Sequence, residues 1–146
     1  MKSDISLDRC SASELARVLL VDDDPTSRLT LQTVLQAGGY RVDSAASAAE
    51  AVGKLDEQEY ELVLSDLQME SPEAGLKVLA HAKMMDYKPA TAFLTTYENA
   101  RPNLPRRENS MFIKPVDIPG LLSKVADLIS ERATRRLQRE LRLAGV

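Results

Sequence analysis

Short apolar runs alternate along the chain with stretches in which apolar residues recur every three or four positions. Arg17-Val18-Leu19-Leu20-Val21 is the first run. It is too short for a helix, and its unbroken apolar character suits a strand buried on both faces. It stops at Asp22-Asp23-Asp24-Pro25. Proline fits a first helical turn, and an aspartate just before it is a good N-cap. Leu31, Val34 and Leu35 then share a helical face, and Gly38-Gly39 supplies the stop. The alternation continues. Tyr40 to Ser44 reads as a second strand, and Ser47-Ala48-Ala49-Glu50 as a capping box opening a helix with Ala49, Val52 and Leu55 inward. Glu61 to Ser65 is a third strand, ending at Asp66. A helix from Gly75 to Met85 puts Leu76, Leu79 and Ala82 inward, and Pro89 stops it. Thr91 to Leu94 is a fourth strand, ending at Thr95-Thr96. Residues 97–109 contain Pro102 and Pro105. Interior proline costs a helix ~3 kcal/mol, so a helix here is short or absent. Met111 to Ile113 is a fifth strand, ending at Lys114-Pro115. A last helix starts near Pro119 and runs past Leu141. Strands alternating with helices predict an α/β fold, a parallel sheet with helices on both faces.

The length, 146 residues, is one domain's worth, and 44% apolar residues suffice for a core. One cysteine, Cys10, excludes an internal disulfide framework. No apolar run approaches the ~18 residues of a membrane span. Residues 1–16 carry Asp4, Asp8 and Glu14 without an apolar core, so they read as a polar leader and not a signal peptide. A soluble cytoplasmic protein, without membrane association, is the expectation. A net charge of −3 argues against direct nucleic-acid binding. That charge is unevenly spread. Residues 130–146 hold five arginines against Glu131 and Glu140, a balance of +3, which leaves −6 for the remainder.

In a parallel sheet of this kind ligands bind beyond the carboxyl ends of the strands. Strand one ends in Asp22-Asp23-Asp24, strand three in Asp66, strand four in Thr95 and strand five in Lys114. Each alone has an ordinary reading as a cap, a turn residue or a solvated charge. Together they form a coherent set. Converging carboxylates repel and need a cation, and all-oxygen ligation suits Mg²⁺. Asp66 can then act as a carboxylate nucleophile toward phosphorus, with Lys114 and Thr95 stabilising the phosphoryl oxygens.

The stretches Val18–Pro25, Leu62–Met69, Ala92–Thr95 and Phe112–Pro115 together resemble the receiver domain of two-component response regulators, in family order over residues 17–130. The resemblance implies a flavodoxin-like (CheY-like) doubly wound sheet of five strands in the order 2-1-3-4-5. It implies a switch that accepts a phosphoryl group on Asp66 from a histidine kinase or phosphotransfer protein, with Mg²⁺, and is no enzyme beyond its own phosphorylation and dephosphorylation. Carried over by position, Asp22, Asp23, Asp66 and the Gln68 backbone carbonyl hold the metal. Thr95 matches the switch hydroxyl and Lys114 the phosphate-pairing lysine. Asp24 is only a cap. The chain departs from the family at Thr96, where a small residue is usual, and at Met111, where an aromatic is usual. It departs again in the shortened stretch before Lys114, which predicts a reduced helix between strands four and five and a nonstandard signalling surface.

The last helix carries a core-facing stripe of Leu121, Leu122, Val125, Leu128 and Ile129. Ala133, Leu137 and Leu141 continue at spacing four from Ile129, among arginines. Residues 131–146 therefore read as a basic helical extension that docks on an unknown downstream protein or on a second copy of the chain. Two rivals remain. One is a degenerate receiver that serves as a binding module. The other reads Asp22-Asp23-Asp24-Pro25-Thr26 as a haloacid-dehalogenase-type phosphatase motif, with Asp22 as nucleophile and Asp24 as general acid. The phosphatase leaves Asp66 without a role. No glycine-rich loop follows strand one, so nucleotide or flavin binding lacks its phosphate cradle. His81, mid-helix, is remote from the strand ends and takes no part.

Overall fold

The computed structural model describes residues 16–66, 69, 71–94, 111–113 and 118–145. Five parallel strands form one sheet: β1 (Arg17–Val21), β2 (Arg41–Ala45), β3 (Leu62–Asp66), β4 (Ala90–Leu94) and β5 (Met111–Ile113). Their order is β2-β1-β3-β4-β5, as the resemblance implies. Four helices are described: α1 (Pro25–Ala37), α2 (Ala48–Glu57), α3 (Pro72–Lys83) and the long α4 (Ile118–Leu143). The expected reduced helix lies in residues 97–109, outside the described residues, as does the N-terminal leader up to residue 15.

Alternation along the strands divides the core in two. Val18 and Leu20 of β1 point to one face, where Leu31 and Leu35 of α1 and Leu121, Val125 and Leu128 of α4 cover them. Leu19 and Val21 point to the other face, against Ala51 and Leu55 of α2 and Ala74, Val78, Leu79 and Ala82 of α3. The central strands are buried on both sides, which is why their sequences are continuously apolar.

Local chemistry sets the element ends. Asp24 caps α1 by accepting from the Ser27 amide at 3.0 Å, and Pro25 occupies the first turn. The far end of α1 is a Schellman stop: Gly39, at φ 101°, lets the Tyr40 and Gly39 amides reach the Leu35 and Gln36 carbonyls at 3.2 and 3.0 Å. Ser47 caps α2 at 3.1 Å, while Glu50 reaches past the cap residue to the Ala46 amide at 2.9 Å.

Three sequence expectations shift by a residue or more. Helix α3 starts at Pro72, with Ser71 at the N-cap position, and not at Gly75. Its inward face is Ala74, Val78, Leu79 and Ala82, and Leu76 is exposed. In α2 the buried positions are Ala51 and Leu55, with Ala48 packed beside them, so Ala49 faces solvent. In both helices the apolar residues outnumber the positions that one face can hold. Where the sheet lies decides which of them are used.

Candidate functional site

The carboxyl ends of β1 and β3 are neighbours in the sheet, since Val21 pairs with Ser65. The residue after each pair is acidic, so Asp22 and Asp66 emerge side by side. Asp23 follows Asp22 into the turn. One carboxylate oxygen from each of Asp22, Asp23 and Asp66 lies within 4.8 Å of the other two. Asp22 is buried, Asp23 exposed and Asp66 half-buried, so the cluster opens to solvent on one side.

The backbone around the cluster is tied down. The Asp22 amide donates to the Ala45 carbonyl at 3.1 Å, and its carboxylate accepts from the Asp24 amide at 3.0 Å. Arg28 Nη1, one turn into α1, donates to the Asp22 carbonyl at 2.7 Å. Asp24 does not join the cluster. Its Oδ2 accepts from the Ser27 amide in the helix cap. Beneath the cluster α3 makes a close approach: a Cβ on Gly75 would stand 2.8 Å from the Asp66 carbonyl oxygen. Only glycine lets the helix rest there. The sequence reading placed Gly75 at a helix start and missed this contact. Nothing in the chain before folding pairs Gly75 with Asp66.

Of the other sequence-predicted residues, Gln68, Thr95, Thr96 and Lys114 lie outside the described residues. Met111 opens β5 opposite Ala92. His81, on α3, reaches across to α2, with Nε2 2.8 Å from the Asp56 carboxylate, away from the acidic cluster.

The donor set is three carboxylates with no nitrogen or sulfur. Such a set fits a hard divalent cation, and three protein oxygens leave room for the waters and phosphoryl oxygens that Mg²⁺ retains.

A second site was not visible in the sequence. Arg132, in α4 beyond the core stripe, is buried. Its Nε donates to the Lys88 carbonyl at 3.0 Å and its Nη2 to the Tyr87 carbonyl at 2.6 Å. Burial lowers its pKa from the ordinary arginine value. Lys88 itself is held at φ 47°, a left-handed conformation that few non-glycine residues adopt. Arg132 is one of the five arginines of residues 130–146, and it bolts α4 to the loop before β4.

Comparison with known proteins agrees with this geometry. The response regulator receiver domain family matches residues 18–126. The transcriptional regulatory protein GlrR of Escherichia coli K12 is 30% identical over 121 residues, which is 81% of this chain and 27% of that protein. The chain thus spans about a quarter of that relative's length. Among solved structures, the receiver domain of the hybrid histidine kinase CckA has a TM-score of 0.64 at 28% identity, covering 77% of this chain and 98% of that one. The response regulator TrrA of Thermotoga maritima, solved in complex with Mg²⁺ and BeF, has a TM-score of 0.66 at 29% identity, covering 78% and 99%. With its strand order, its acidic cluster and these relatives, the chain belongs to the response regulator receiver domain family.

Proposed function

We propose that this chain is a phosphorylation-controlled switch whose acceptor is Asp66. The observation that carries this reading is the convergence of Asp22, Asp23 and Asp66 within 4.8 Å at the ends of adjacent strands. In the reaction, an Asp66 carboxylate oxygen attacks the phosphorus of a phosphohistidine on a sensor histidine kinase or phosphotransfer protein. The P–O bond forms as the P–N bond breaks, and the electron pair leaves with the imidazole, which takes up a proton. Asp22, Asp23, Asp66 and the Gln68 carbonyl would hold Mg²⁺, which when bound neutralises charge on the phosphoryl oxygens. The Asp24 amide and Arg28 fix Asp22, so the buried carboxylate keeps its place. Lys114 would pair with the phosphoryl group, and Thr95 would turn toward it once charge is added, shifting a two-state equilibrium. Thr96 and Met111 would tune access to Asp66 and the size of that shift.

We take residues 17–130 as the receiver and residues 131–146 as a helical extension, after a leader of residues 1–16. The output is a protein contact, through the extension, with a downstream target or a second copy, in the cytoplasm. The chain catalyses nothing beyond its own phosphorylation and dephosphorylation. The test is intact-mass measurement after incubation with acetyl phosphate and Mg²⁺. One phosphoryl adduct on the wild-type chain, absent in Asp66→Asn and absent with EDTA, supports the reading. No adduct on the wild type, or an adduct that persists in Asp66→Asn, overturns it.

A further inference from the structure

The seam of α4 changes chemistry midway. Leu121, Val125, Leu128, Arg132, Arg135, Arg139 and Arg142 recur at alternating spacings of four and three, so they share one helical face. The first three are buried against the sheet and the last three are exposed. Geometry explains the change. A strand of five residues spans ~16 Å, whereas the 26-residue helix runs ~39 Å, so α4 overshoots the sheet's amino-terminal edge. Arg132 marks the last point of contact. Beyond it the same face overhangs a cleft against the loop before β4, and the cleft lining carries seven basic and three acidic side chains. The side chains of Arg135, Arg139 and Arg142 make no hydrogen bond or ion pair with other described residues. They form a ladder of charge extending ~15 Å along the helix from Arg132.

A complementary patch lies on the same edge of the molecule. Asp56, Glu57, Glu59 and Glu61 place four carboxylates in six residues where α2 turns into β3. Asp56 pairs with His81, and Glu61 accepts from the Arg17 amide. Glu57 and Glu59 have no such partner among the described residues. Glu59 and Glu61 are close enough to Arg132 to favour its charged form.

We infer that a second copy of this chain covers the arginine face of α4, laying its own Glu57–Glu59 turn against Arg135, Arg139 and Arg142. Adjacent patches of opposite charge are what a two-fold dimer uses, because one rotation brings each patch onto its complement in both directions. Leu143, exposed and lining the same cleft, borders the contact and loses solvent with it. Apposing two arginine ladders would place like charges together, so the helices do not meet face to face on this side. A nucleic acid fits less well, since Asp86, Glu131 and Glu140 also line the cleft and the chain is net negative. This inference deepens the interface part of the functional reading and does not require Asp66 to be phosphorylated.

The test is the mass of the unphosphorylated full chain in solution, by size exclusion with light scattering over a concentration series. The wild type and Asp66→Asn are expected to dimerise at low ionic strength and to dissociate as salt shortens the screening length. Arg135→Glu with Arg139→Glu weakens association at least ~10-fold, and so does Glu57→Arg with Glu59→Arg. Mixing the two double variants restores a dimer, because both of its contacts are then complementary. A wild type that stays monomeric overturns the inference. So does a dimer that survives the loop reversal, or a mixture that stays monomeric while both variants remain folded by circular dichroism. Since Asp66→Asn retains the dimer, failure of the phosphorylation reading and failure of this one are separable.

Discussion

Asp22, Asp23 and Asp66 bring three like charges within 4.8 Å, and their repulsion sets a measurable sign. At that spacing each pair costs ~1 kcal/mol even at the dielectric of water, and more where burial reduces it. Without a divalent cation the cluster therefore works against the fold. Removing the charge of exposed Asp23 leaves the buried hydrogen bond of Asp22 to the Asp24 amide untouched. Asp23→Asn is expected to melt ~2 °C above the wild type in EDTA, given the entropy of unfolding of a domain this size. In excess Mg²⁺ the order reverses, because the wild type gains more from ligand binding than the variant does. Thermal melts in both conditions check it. A variant that is less stable than the wild type in EDTA would show that the carboxylates are not in mutual repulsion.

At the scale of elements, Arg132 decides whether the end of α4 is part of the domain or a loose tail. Its guanidinium satisfies two carbonyls in a turn that holds Lys88 at positive φ. Arg132→Met keeps most of the apolar stem but loses both donors, and leaving such groups unsatisfied costs ~1–3 kcal/mol. Amides of residues 133–143 should then exchange hydrogen faster, while those near Val125 and Leu128 stay protected. Arg132→Lys recovers only part, because an ammonium cannot span two carbonyls as a planar fork does. Unchanged exchange in Arg132→Met would refute the anchoring role. The same residue shows where the sequence stops being legible. The five strands and the acidic cluster could be read, because apolar runs and carboxylates at strand ends are local patterns, while the strand order followed only from the resemblance to the receiver family. Arg132 could not, since its partners are carbonyls more than forty positions away and carbonyls leave no mark in composition. Gly75 was hidden for the same reason: its close contact with Asp66 exists only once α3 lies on β3. Leu76 reads as inward from the apolar spacing alone, but the position of the sheet against α3 selects Ala74, Val78, Leu79 and Ala82 and leaves it exposed.

On the scale of the whole molecule, the two edges of the sheet have separate tasks. The carboxyl edge gathers the acids, and the amino edge is stapled by polar contacts. Tyr60, fully buried ahead of β3, donates its hydroxyl to Asp43 of β2 at 2.8 Å, and Arg17 Nη1 reaches the same carboxylate at 3.3 Å. Tyr87 donates to the Leu55 carbonyl at the end of α2 at 2.9 Å, while its own carbonyl holds Arg132. Burial, reinforced by the Asp43 hydrogen bond, raises the Tyr60 phenol well above the usual tyrosine range. Burial, with Glu59 and Asp56 nearby, pushes the Tyr87 phenol up to about 12. Both shifts favour the protonated form in the folded chain. Below about pH 10 the two phenols are protonated in both states, and their contribution is fully present. As pH rises above about 10 the unfolded chain releases these protons while the folded chain keeps them, so stability falls with each step of pH. Urea titrations between about pH 9 and about pH 11.5 should show that decline. Tyr60→Phe with Tyr87→Phe should flatten it while lowering stability at neutral pH, because two hydrogen bonds are lost. Some slope remains from Tyr40, which burial also raises. A slope identical to the wild type in the double variant would mean that these phenols do not hold the amino edge together.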